Sequence, residues 1–152
     1  MRYFPDLVQL LIVLEREDRP VWRRVHVSAF TQLGGLHRII QGVMGWGNRL
    51  PHRFILAGDI YKRVAPGEAL DPKRERHWRL DSAFYPGDEF RYAYGAQDEW
   101  RHRIIREKYL DGNPLWRYPR CVAGDGACPP DIGKTFELGA VNRRLWRSLG
   151  KR

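Results

Sequence analysis

Sulfur is scarce in these 152 residues, with two cysteines and two methionines in all. So few cysteines exclude the dense disulfide framework by which small secreted domains hold together. One Cys121–Cys128 bridge is the most the chain could form, and a reducing compartment would leave both as thiols. Long apolar runs are also missing. The longest, "LVQLLIVL" at residues 7–14, falls well short of the roughly 20 residues a membrane-spanning helix needs. The start, "MRYFPD", lacks the pattern of a secretory leader. A cytoplasmic protein without membrane association is the expectation. No glycine-rich phosphate loop, Ser or Cys nucleophile signature, or paired-carboxylate motif occurs, so no reaction can be read from a motif. Acidic residues are the minority: 18 Asp and Glu against 27 Lys and Arg give a formal charge of +9. That excess favours attraction to polyanions and says nothing about fold.

Buriable surface is plentiful. Hydrophobic residues make up 43% of the chain, with six Trp and seven Tyr, too much for a disordered segment. The length suits a single domain over 1–152. Residues 6–14 are apolar on both alternating faces, as in a strand covered on both sides. "VWRRVHV" then places Val21, Val25 and Val27 on one face and Trp22, Arg24 and His26 on the other, so the first two strands read as a hairpin. Thr31 is the expected N-cap of a helix over 32–45, in which Leu33, Leu36, Ile39, Ile40, Val43 and Met44 recur at helical spacing. Gly34, Gly35 and Gly42 weaken that helix by up to about 1 kcal/mol each, so packing must hold it, and Gly45 is its expected end.

"HRFILAGDIYKRV" reads as two short strands joined at Gly58–Asp59, and residues 65–77 as loop. "YPGDEFRYAYG" and "EWRHRIIREKYL" read as a second hairpin connected around residues 95–98. Leu138, Val141, Leu145 and Leu149 predict a short amphipathic C-terminal helix, with Arg143, Arg144, Arg147 and Lys151 elsewhere on it. The order predicts an α+β domain: a mixed or antiparallel sheet of hairpins with one main helix packed across it in a grasp-like arrangement, plus the short C-terminal helix.

The segments "RPVWRRVHV", "LGGLHRIIQGVMGW", "PGDEFRYAYG", "WRHRIIREK" and "YPRCVAGDGACPPD" together resemble the plasmid pRiA ORF-3-like family, named after an open reading frame of a root-inducing plasmid. The resemblance runs over residues 6–133, and residues 134–152 read as a shortened tail. Some members carry the label of an insertion-sequence passenger protein of the TnpR type, which implies travel with mobile elements and assigns no activity. Trp22, Arg23, Arg24, His37, Trp46, Asp98, Trp100 and His102 stand at family-motif positions. This chain departs from the family where "YGAQDEW" rearranges the turn glycines of the second hairpin. It departs again where "LPH" keeps only His52 of a His-Leu-His, so that Pro51 makes the third strand start late or lie at an edge. After "CPPD", Ile132 stands where members show a further cysteine, and a long acidic segment is absent. The resemblance then implies that part of the +9 charge reflects that loss, in a shortened family copy that is either functional or drifting.

Zinc takes four ligands, and Cys121 and Cys128 with His52 and His102 could supply them, although the Cys-x6-Cys spacing is wide. The competing reading is a plain proline-closed loop with free thiols and no cofactor. Aromatic and basic residues interleave at Trp22-Arg23-Arg24, Arg101-His102-Arg103, Trp116-Arg117-Tyr118 and Trp146-Arg147. Arg23, Arg24, Arg101, Arg103, Arg143, Arg144 and Arg147 could contact phosphates, or stack on tryptophans and pair with carboxylates across the sheet. Asp98 and His102, four apart, are the one pair with acid–base character. The sequence thus supports a non-enzymatic binding or accessory module first. A sequence-independent nucleic-acid binder comes second and a metal-dependent enzyme third, with nucleic acid or a protein as partner and no oligomeric state indicated.

Overall fold

Two strands rich in aliphatic residues come first among the described residues. β1 (Leu7–Leu14) and β2 (Val21–Ser28) pair antiparallel from Leu7↔Ser28 to Leu14↔Val21, the expected hairpin. The computed structural model describes residues 6–16, 19–57, 69–70, 72–84, 86–128 and 135–150. The remaining elements are α1 (Leu33–Met44), β3 (His52–Ile55), β4 (Ala69–Leu70), a 3-10 turn (Pro72–His77), α2 (Leu80–Phe84), β5 (Glu89–Tyr94), β6 (Trp100–Leu110), β7 (Arg120–Asp125) and α3 (Leu138–Gly150). The seven strands form one open sheet in the order β4-β3-β5-β6-β1-β2-β7, and every described pairing is antiparallel. The predicted α+β class holds.

α1 lies across the sheet because its apolar stripe leaves no other place for it. Leu33, Leu36, Ile40 and Val43 are fully buried with Leu10, Ile12, Val25, Phe54 and Tyr92 of the strands. Its N-cap is Gln32 without a side-chain cap, and the hydroxyl of Thr31 instead donates to the Ser28 carbonyl at 2.6 Å. The expected Thr31 cap is therefore displaced by one residue, because closing the turn after β2 takes its hydroxyl. Gly45 ends the helix as predicted, at φ 84°, where an L side chain is strained and a Cβ would sit 2.7 Å from the Arg144 guanidinium carbon.

α3 packs beside α1. Gly42 makes this possible, since a Cβ there would lie 3.0 Å from the Leu145 Cα. Asn142 of α3 then covers the edge strand: its amide oxygen accepts from Cys121 N–H at 2.7 Å and its amide nitrogen donates to Cys121 C=O at 2.9 Å.

Two further expectations change, and one element was not anticipated. Residues 65–77, read as loop, contain β4 and the 3-10 turn, whose Glu75 is 5% exposed. The first half of the cysteine loop is a strand, β7, paired to β2 from Trp22↔Asp125 to His26↔Arg120, because Cys121 buries while Gly124 lets the backbone approach Trp22 closely. The short helix α2 gave no sequence signal. The strand expected after Gly58, residues 65–68 of the expected loop, and the proline pair 129–130 lie outside the described residues.

Arg23 decides how the layers join. It shares the inward face of β2 with Val21, Val25 and Val27 and is 2% exposed, as period-two alternation requires. Its Nε donates to the Val43 carbonyl at 3.0 Å, and Nη1 to the carbonyls of Trp22 and Asp125, both at 2.9 Å. The Phe136 ring lies 4.8 Å from its guanidinium carbon. Arg144 reaches the same helix end from α3, donating to the carbonyls of Gly42 at 3.0 Å and Val43 at 3.3 Å. α1 has no basic residue in its own last turn, so two arginines from other elements supply the positive charge that its C-terminus attracts.

Three substitutions test this packing. Arg23→Ala leaves buried carbonyls unpaired and is expected to cost about 3 kcal/mol or more in urea unfolding; a loss under about 1 kcal/mol would refute the cap. Gly42→Ala is expected to destabilise by more than about 1 kcal/mol through the Leu145 backbone. Gly34→Ala, whose Cβ meets Glu75 Oε2 at an ordinary 3.7 Å, is expected to gain several tenths of a kcal/mol.

Candidate functional site

The turn from Gly45 to Pro51 joins α1 to β3, and aromatic side chains from the sheet hold it in place. Trp46 stacks on Tyr94 at 5.0 Å and on Trp100 at 4.9 Å, with His102 edge-on at 5.2 Å. The Tyr94 hydroxyl accepts from the backbone N–H groups of Arg49 at 3.1 Å and Leu50 at 3.2 Å. Asn48 adopts φ 55°, a conformation asparagine tolerates better than most residues. Period-two spacing puts Phe90, Tyr92 and Tyr94 of β5 and Trp100, His102 and Ile104 of β6 on the inner face.

Beneath the turn lies a polar network whose protons can be placed by elimination. Asn48 N–H donates to Gln41 Oε1 at 2.9 Å, so the Gln41 amide nitrogen is the donor to Tyr92 Oη at 3.0 Å. Tyr92 keeps its own proton for His37 Nδ1 at 2.8 Å, and His37 Nε2 donates to Asn48 Oδ1 at 2.7 Å. His37 is thus a neutral imidazole. Burial pushes it down to about 4, with the neighbouring His52 acting the same way, and burial raises the Tyr92 phenol well above its ordinary value. His52 stacks on His37 at 3.5 Å and 11°, and its Nε2 meets Glu75 Oε1 at 2.6 Å. His102 is fully buried and pushed down to about 4 by desolvation. Its Nδ1 donates to the Tyr92 carbonyl at 3.2 Å, while Nε2 has no hydrogen-bond partner.

Of the family-motif residues, His37, Trp46, Trp100 and His102 meet here, with His52 beside them. Trp22 and Arg24 lie on the opposite face of the sheet, with the Arg24 guanidinium 5.2 Å from the Trp22 ring centre. Asp98 is exposed and precedes β6, so it forms no acid–base pair with buried His102. The four expected zinc ligands are not brought together. Cys121 and Cys128 are buried free thiols, with Cys128 Sγ 3.6 Å from Arg23 Nη2 and 3.1 Å from Met44 Sδ, whereas the histidines sit in the aromatic cluster. Among the described residues no three His, Cys, Asp or Glu gather to hold a metal. Sequence reasoning missed Gln41, Asn48, Glu75, Tyr92 and Tyr94, because a polar network in a core has no periodic signature. Asn48 after the helix-ending glycines was the one local clue.

The arginines also sort. Arg23 is corrected from phosphate contact to buried cap, and Arg144 is likewise committed to helix carbonyls. Arg24 pairs with Glu107 at 2.7 Å, Arg103 with Glu89 at 2.6 Å and Arg143 with Glu137 at 3.4 Å. Arg101 only approaches Glu99, at 3.9 Å. Arg147 is exposed, without an ion pair among the described residues.

Because His37 and His102 titrate lower when folded than the ordinary 6.5, the stability they contribute is fully present above about pH 6.5 and is lost as pH falls toward about 4. Each accounts for a loss on the order of 3 kcal/mol. Urea midpoints across that range are expected to fall with a slope approaching two protons, and His37→Gln to remove about one; a flat profile would refute the neutral buried pair. Tyr92→Phe is expected to cost about 1–3 kcal/mol by orphaning His37 Nδ1 and the Gln41 amide.

Similar proteins bear on the family and the fold. The family profile described as plasmid pRiA4b ORF-3-like protein matches residues 6–140, reaching the start of α3. An uncharacterised protein, y4hQ, of Sinorhizobium fredii (strain NBRC 101917 / NGR234) is 30% identical over 132 residues, covering 84% of this chain and 67% of that protein. A crystal structure of a protein of unknown function, MM3350 from Methanosarcina mazei Go1, superposes with a TM-score of 0.71 at 24% identity, over 86% of this chain and 75% of that one. That likeness confirms the fold. With the family profile spanning most of its length and this relative beside it, the chain belongs to the plasmid pRiA4b ORF-3-like family.

Proposed function

We propose that the domain is a non-enzymatic binding or accessory module. One observation carries this reading: the groups best suited to chemistry are committed to one another. His37, Tyr92, Gln41 and Asn48 form an interlocked set of hydrogen bonds that shapes the 45–51 turn. A catalytic acid or base needs a proton it can deliver to a bound substrate, and the neutral, buried His37 and the tightly held phenol of Tyr92 are poor sources of one. An accessory role within a mobile element, the context the resemblance implies, suits such a module.

Nucleic-acid binding is the second reading, favoured by the +9 charge and by exposed Arg101 and Arg147. Pairing of Arg24, Arg103 and Arg143 with glutamates, and burial of Arg23, count against it, because a paired guanidinium releases little on meeting a phosphate.

Two measurements test the proposal. Fluorescence anisotropy with single- and double-stranded oligonucleotides at about 0.15 M salt is expected to give Kd no tighter than the non-specific range of about 10⁻⁴–10⁻⁶ M; submicromolar binding with a steep salt slope would replace the proposal with the second reading. Chelation with EDTA is expected to leave Tm unchanged. A drop in Tm that zinc restores would revive the metal-dependent alternative.

A further inference from the structure

The wall of the turn that faces away from the aromatic cluster borders a cleft between α1 and α3, about 460 Å³ in volume. Arg38, Arg144 and Arg147 line it with Gln41, Asn48 and Ser148, and no carboxylate is among its described lining residues. The outer sheet face differs: a cavity there, of about 420 Å³, has Arg53, Arg91 and Arg101 in its wall together with Glu15, and Glu99 holds Arg53 at 2.8 Å. Of these two cavities, the α1–α3 cleft is the one with no carboxylate among its described lining residues, and concavity strengthens the field of its arginines.

Its donors are also held in place. Arg144 is fixed by the carbonyls of Gly42 and Val43, and its Nη1 makes no hydrogen bond among the described residues. Arg147 follows three residues later, on the same side of α3. Asn48 spends Oδ1 on His37, so its amide nitrogen keeps two N–H donors, oriented by the buried network. The C-terminal end of α1 would repel an anion, but Arg23 and Arg144 offset it. The volume falls within the range of small-molecule sites, about 300–1,000 Å³, and guanidinium and amide N–H donors lining one cleft suit phosphoryl oxygens.

We propose that this cleft binds a small, multiply charged phosphorylated ligand, a diphosphate or phosphate ester, with Arg147 and the Asn48 amide as contacts. The proposal rests on the reading of the domain as a binding module and names the ligand class. The same phosphoryl chemistry could come from a nucleic-acid backbone, but a cleft confined between two helices suits a compact ligand better than a strand.

The test is calorimetric titration of the full chain with inorganic pyrophosphate, repeated with Arg147→Glu and Arg143→Glu. Both variants change the charge equally, but Arg143 pairs with Glu137 outside the cleft. Arg147→Glu is expected to weaken binding at least tenfold and Arg143→Glu less than threefold, with unchanged thermal melting for both. Pyrophosphate should also shift the amide resonances of Asn48 and Ser148 more than those of β5 and β6. Equal weakening by the two variants, shifts centred on the sheet, or no binding at millimolar pyrophosphate would each overturn the cleft assignment and leave the non-enzymatic reading to its own tests. Tighter binding of a short oligothymidylate that survives Arg147→Glu would also overturn it. Orthophosphate release from pyrophosphate, lost in Arg147→Glu, would support the cleft and sink the non-enzymatic reading.

Discussion

A guanidinium with almost no exposure sits where four parts of the chain meet, and most of the architecture follows from keeping it hydrogen-bonded. Arg23 comes from β2, caps the Val43 carbonyl in the last turn of α1, bridges to the β7 carbonyl at Asp125, and lies under Phe136 ahead of α3. Burial lowers its pKa, yet a guanidinium in a protein keeps its proton and must be matched by acceptors. No carboxylate hydrogen-bonds it among the described residues. Carbonyl dipoles and the negative end of α1 do so instead, which ties the helix to one register over the sheet.

The two faces of the sheet handle charge differently. Inward, polar groups are few and mostly hydrogen-bonded, with Nε2 of His102 left unpartnered among the described residues. Outward, arginines and glutamates alternate across strands, so that Arg91 and Arg103, directly opposed between β5 and β6, are each balanced by a glutamate, Glu15 and Glu89. Such pairs contribute little individually. Their effect is to disperse the +9 charge over the sheet, which leaves the α1–α3 cleft as a local positive field.

The turn between α1 and β3 links these themes. Tyr94, Trp100 and Trp46 hold it from the sheet side, while His37, Gln41 and Asn48 hold it from the helix side. Two residues, Gln41 and Asn48, belong both to the buried network and to the cleft wall. A neutral His37 is a precondition for that geometry, since a second proton on the ring would leave Tyr92 with no acceptor. Packing and ligand-facing geometry thus share the same atoms.

Much of the fold was legible because periodicity reports burial. The β1–β2 hairpin, α1 with its glycine stop, the β5–β6 hairpin and α3 all follow from spacings of two or about 3.6, and separated motifs such as "LGGLHRIIQGVMGW" pointed to the family. What the sequence alone could not supply was the partner of each polar residue. Arg23 and Arg24 are adjacent letters, yet alternation sends one into the core and the other to Glu107 on the surface. Cys121 and His52 suggested a shared ligand set, yet they belong to different ends of the sheet order, β7 and β3. Local pattern determined which faces were buried. The tertiary structure decided which charges met, because that depends on strand order and helix placement, and neither is encoded within any one segment.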